Sequence, residues 1–126
     1  MLAVLALAAC GGGTSRTGRT VTFDTAGAFP TLTIVGHYSA SNCAHAARVV
    51  VADARDFYLH STTLPGPADL YFYDMREGYA HFQADDCTSK QLGDALARGL
   101  ITRQRTWLQA NLPAAFSRIF RAALSA

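Results

Sequence analysis

Hydrophobic and polar positions alternate in two short segments near the start of the chain and then change period. Thr20–Asp24 (TVTFD) and Thr31–Tyr38 (TLTIVGHY) are rich in Thr, Val, Ile and Phe. With Gly27 and Pro30 between them, they read as two β-strands. From Cys43 the apolar positions Cys43, Ala47, Val50, Ala54 and Phe57 advance by four, three, four and three residues. That spacing is one face of a helix, capped by Ser41 or Asn42 and running to about Tyr58. Arg48, Arg55 and Asp56 fall away from the stripe. The run Val49-Val50-Val51 is compatible with a strand, but the alternation fails on both sides of it.

Pro65-Gly66-Pro67 breaks the chain. Beyond it, Asp69–Asp74 (DLYFYD) and Tyr79–Gln83 (YAHFQ) flank Met75–Gly78 and predict a β-hairpin, with Gly78 suited to the turn. The remainder is helical. Thr88 and Gln91 have capping-box spacing ahead of Leu92, Leu96 and Leu100. Thr102 is expected to cap a further helix through Trp107, Leu108 and Leu112, and Pro113 to break or kink it. Phe116, Ile119, Phe120 and Ala123 supply the last apolar face. The order ββαββαα predicts an α+β fold, a small antiparallel sheet with helices on one face. The folded domain is expected over residues 21–126, preceded by a flexible, Gly/Thr/Ser/Arg-rich tether over 10–20.

Composition bounds this picture without changing it. A chain of 126 residues, 50% hydrophobic and 16% charged, builds one modest core. A formal charge of +2 is too small to select nucleic acid as a partner. Its distribution is uneven. Residues 20–87 hold three arginines against eight acids, or −5; residues 88–126 hold six basic residues against Asp94, or +5. Two halves of one fold that attract each other are the simplest expectation.

The first nine residues, Met1–Ala9, are apolar. They are far short of the roughly 20 that span a bilayer as a helix, and match the apolar region of an export signal. Leu7-Ala8-Ala9-Cys10 resembles the lipobox of bacterial lipoprotein precursors, where a large apolar residue, two small residues and a cysteine form the cleavage site. The resemblance implies a signal peptide over 1–9, and lipidation of Cys10 on its sulfur and its new amino group. It also implies a membrane partner reached through that lipid. Gly11 rather than Asp after the cysteine implies delivery to the outer membrane, with the domain facing the periplasm.

With Cys10 given to lipid, Cys43 and Cys87 remain in an oxidising compartment, and an even count there predicts one disulfide. Each cysteine precedes or opens a predicted helix, so the two can meet at neighbouring helix starts.

Catalytic and metal chemistry find thinner support. A cysteine at a helix N-terminus is activated by the helix dipole, and His81 downstream could serve Cys43 as a base. This order is similar to that of cysteine peptidases and amidases that cut cell-wall peptides. The Asp-Cys-Ser-Gly type of box is absent, however, and Ala80 stands where a glycine would precede the histidine. Cys43 and His45 have C-x-H spacing with no second pair, and His37, His60 and His81 are scattered. No metal or other cofactor and no catalytic set is expected. Asp85-Asp86 reads as an acidic pair favouring the helix start at Thr88. No phosphate-cradling glycine loop and no basic-aromatic stripe occurs.

The aromatics carry the binding expectation. On a hairpin, Tyr71 and Tyr73 would face away from Phe72, and with Tyr79 they would form an exposed contact surface. The alternative is that the N-terminal strands or the tail cover them. The favoured function is a lipid-anchored envelope lipoprotein acting by protein binding, a pilotin-like accessory of secretion or envelope assembly. An inhibitor or immunity lipoprotein presenting Asp69–Glu77 as a protruding loop is the second reading. A cell-wall hydrolase, which needs a free Cys43 thiol, is the third.

Overall fold

The structure, a computed structural model, describes residues 15–25 and 31–126. The expected signal segment, Cys10 and most of the tether lie outside the described residues, as do Gly27 and Pro30. The fold is α+β: β1 (Arg16–Phe23), β2 (Leu32–Tyr38), then α1 (Ala40–Thr62), α2 (Ala68–Ala84), α3 (Ser89–Gly99), α4 (Thr102–Asn111) and α5 (Ala114–Ser125).

The two strands pair antiparallel, with Phe23 opposite Leu32, Val21 opposite Ile34, and an irregularity between Thr17 and Thr20. β1 begins at Arg16, so the last five residues of the expected tether, 16–20, belong to the sheet. Of β1, Phe23 alone is buried, and a strand this exposed carries little apolar alternation to announce it. In β2, Ile34 and Gly36 face inward while Thr33, Val35 and His37 are exposed. The inner face lies on α2, where Phe23 and Ile34 pack with Ala80 and Ala84. The approach is close: a Cβ on Gly36 would stand 1.9 Å from the Ala84 carbonyl oxygen.

The expected second hairpin is a helix. Residues 69–83 lie within α2, and Gly78 sits mid-helix against Val49 rather than in a turn. Phe72, Met75, Tyr79 and Phe82 advance at helical spacing and join the main core. Tyr73, Ala80 and Ala84 lie on another side and join the small cluster under the sheet. A helix buried on two sides has apolar residues around most of its circumference, and its local sequence then imitates strand alternation.

α1 follows expectation more closely. Cys43, Ala47, Val50 and Ala54 are buried and Phe57 is half-buried. Its N-cap is Ser39, not Ser41 or Asn42; the Asn42 backbone N–H donates to Ser39 Oγ at 3.0 Å. The helix runs to Thr62, past the expected end, and Pro65-Gly66-Pro67 separates it from α2. The Thr88–Gln91 capping box is formed, with Gln91 N–H on Thr88 Oγ1 at 3.3 Å and Thr88 N–H on Gln91 Oε1 at 2.7 Å. Thr102 is the first residue of α4 rather than its cap; Ile101 holds that place, its N–H donating to Gln104 Oε1 at 3.0 Å.

The main core gathers Val50, Val51, Met75, Phe82, Leu92, Leu96, Leu108 and Phe120. α3 meets α5 at Gly93, where a Cβ would lie 1.9 Å from the Ala123 carbonyl oxygen.

Cys43, in the first turn of α1, is bonded to Cys87, with Cα atoms 5.6 Å apart. Cys87 is brought there by the end of α2. Asp86 takes the left-handed conformation (φ 61°) that usually falls to glycine. Asp86 N–H then donates to the Gln83 carbonyl at 2.9 Å and Cys87 N–H to the Phe82 carbonyl at 3.3 Å, a Schellman closure. Reducing the bond, or replacing both cysteines by Ala, is expected to lower unfolding free energy by about 4 kcal/mol through loop-closure entropy. Denaturant unfolding of oxidised and reduced protein measures this. Coincident transitions would mean that packing alone holds the corner.

Candidate functional site

The three tyrosines expected on one exposed face do not share one. On α2, Tyr71 and Tyr73 point to nearly opposite sides, because two residues advance a helix by about 200°. Tyr71 stacks on His60 with ring centroids 4.4 Å apart, and Tyr73 meets Phe23 edge-on at 5.6 Å. Tyr79 lies between Phe82 at 5.9 Å and Phe116 at 5.6 Å. All three are half-buried, and burial pushes the Tyr79 phenol above its ordinary pKa against the opposing pull of Arg19. Tyr73 is covered by β1 and Tyr79 by the C-terminal helix, as the alternative reading of the sequence has it, whereas Tyr71 packs on α1.

Cys43 presents no thiol, since its sulfur is bonded to Cys87. His45 and His81 do come together with Asp85 along a groove between α1 and α2. No group of three His, Cys, Asp or Glu placed to hold a metal ion occurs among the described residues. Asp85 and Asp86 do more than favour the start of α3. Asp85 Oδ1 accepts the His37 backbone N–H at 3.0 Å, and Asp86 pairs with Arg16 at 3.0 Å. The acidic pair ties both strands to the corner between α2 and α3.

The groups with unusual electrostatics flank α1. On its α2 side, Asp53, Asp74, Glu77 and His81 border a shallow groove over Val49 and Gly78. Half-buried Asp53 has its pKa raised to about 6, first by burial and then by the nearby carboxylates of Asp74 and Asp56. It therefore exchanges a proton close to neutral pH. No hydroxyl or thiol borders that groove, so proton transfer and pH-dependent contact are the chemistry its residues offer.

On the opposite side of the buried stripe, α1 and α3 form a second groove. It is bordered by Arg48, Arg55 and Arg98 and by no carboxylate. The expected attraction between acidic and basic halves is not expressed as ion pairs. Among the described residues the pairs are Arg16–Asp86 and Lys90–Asp94, and neither joins 20–87 to 88–126.

Reading α2 as strands hid the acidic face from sequence analysis. As a helix, Asp74, Glu77 and His81 fall at i, i+3 and i+7 on one side. Arg48 and Arg55 were visible as a pair off the apolar stripe, but nothing local indicated that Arg98 would join them.

No family model, curated protein or solved structure matches the chain.

The raised pKa of Asp53 has a definite sign for stability. Its folded value of about 6 exceeds the unfolded 3.8, so the folded state prefers the protonated carboxyl. The destabilisation is complete above about pH 6, shrinks as pH falls through that value, and vanishes below 3.8. Asp53→Asn is therefore expected to raise the melting temperature at pH 7–8, with the gain closing by about pH 4. Thermal melts of both proteins across that range check it. A gain independent of pH would assign the effect to packing.

Proposed function

We propose that the chain is a lipid-anchored domain of a bacterial envelope, held at the outer membrane through Cys10 and facing the periplasm. There it acts by binding a protein partner, as an accessory of secretion or envelope assembly of pilotin-like type. The observation that carries this reading is the Cys43–Cys87 disulfide. Structural disulfides persist in oxidising compartments and are rare in reducing ones, which agrees with the export implied by Leu7-Ala8-Ala9-Cys10. No helix among the described residues is long and apolar enough to cross a membrane, so within them no span competes with lipid as the anchor.

The other two readings have less to stand on. Asp69–Glu77, offered as the protruding loop of an inhibitor, is the first half of α2. A cysteine hydrolase would need Cys43 reduced, and in this structure its sulfur is bonded.

Fractionation tests the anchor. The unaltered protein is expected with the membranes and Cys10→Ala in the soluble fraction, with labelled fatty acid incorporated into the former only. Equal membrane association of the two would rule out lipid attachment at this residue.

A further inference from the structure

The groove between α1 and α3 encloses 480 Å³, within the range of small-ligand sites. Its apolar lining is formed by buried Ala47 and Val51, half-buried Ala95 and, at the exposed edge, Ala44. Arg48 and Arg55 lie seven residues apart on α1, hence on one side of it, and Arg98 faces them from α3.

These arginines enter no ion pair among the described residues. Arg55 is half-buried, and its Nη1 donates to the Gly99 carbonyl oxygen at 3.0 Å. That bond fixes the guanidinium while leaving its other donors and its whole charge available. Arg48 and Arg98 are exposed and form no ion pair among the described residues. Arg105, by contrast, is occupied at the end of α3, where it donates to the Leu100 and Ala97 carbonyls. Three like charges around one half-enclosed space repel each other, and a bound anion reverses the sign of that interaction.

The walls decide what kind of anion. Both are helices whose backbone groups bond within themselves, so an extended peptide would find few partners for its own N–H and C=O groups. An aliphatic chain needs only the methyl lining. We propose that this groove binds a small amphiphilic organic anion. Arg48, Arg55 and Arg98 hold its carboxylate or phosphate head, and Ala44, Ala47, Val51 and Ala95 receive its aliphatic part. The site depends on the α1–α3 pair and stands whether or not Cys10 carries lipid.

Calorimetric titration of the full chain tests it, with n-dodecyl phosphate and dodecanoate below their micelle concentrations. Inorganic phosphate and neutral dodecyl maltoside are the comparison ligands. At least one of the amphiphilic anions is expected to bind about tenfold or more tighter than either comparison ligand. Arg48→Gln with Arg98→Gln should weaken it by about tenfold or more without lowering the melting temperature, since both side chains are exposed and their loss relieves repulsion in the free protein. Ala44→Trp, which crowds the groove from its exposed edge and keeps the charges, should weaken it comparably. Inorganic phosphate binding as tightly would reduce the groove to a bare anion site and overturn the proposal. So would equal binding of the maltoside, undiminished binding by the variants, or no binding of either anion. Capture of an acidic peptide without either anion would overturn it in favour of a protein ligand.

Discussion

Residues 82–91 form the corner on which the other elements depend. α2 stops there through a left-handed Asp86, an unusual choice where glycine is the ordinary solution. The turn delivers Cys87 to Cys43 and, one residue later, Thr88 to the cap of α3. Asp85 and Asp86 reach back to His37 and Arg16, holding β2 and β1. One turn therefore fixes the start of α1, the end of α2, the start of α3 and the sheet. Net hydrogen bonds contribute about 1 kcal/mol each, so the covalent link is the largest single restraint at this corner.

What the sequence disclosed follows from how each element is buried. α1 keeps its buried residues on one stripe, and the spacing from Cys43 to Phe57 reads off directly. α3 has the same property, with Leu92 and Leu96 behind a complete capping box. α2 lies between the sheet and the main core, and the period that would mark it as a helix is lost in apolar residues on two sides. Tyr71, Tyr73 and Tyr79 were therefore assigned to faces that do not exist. β1 was found in its second half, from Thr20, but its first half was missed for the opposite reason: with Phe23 the strand's one buried residue, nothing in the pattern distinguishes Arg16–Arg19 from a tether. The disulfide was legible because it required only a count and a compartment; both grooves were hidden because each joins residues from two helices.

The grooves also explain why a strong division of charge along the chain produces no ion pairs between its halves among the described residues. The acidic residues of α2 meet α1 on one flank, and the arginine of α3 meets it on the other, with the buried stripe between them. A helix is about 10 Å across, close to the Debye length of about 8 Å at physiological salt. Screening then leaves little attraction from one flank to the other. Each flank keeps its own field: on one, burial and then neighbouring carboxylates raise the pKa of Asp53; on the other, three arginines share a space that no carboxylate among the described residues borders. Had the fold placed α3 beside α2, these charges would have neutralised one another as surface pairs of small worth. Separated by α1, both remain available, and the energy left unsatisfied on each side is what a proton can relieve at Asp53 and an anion at the arginines.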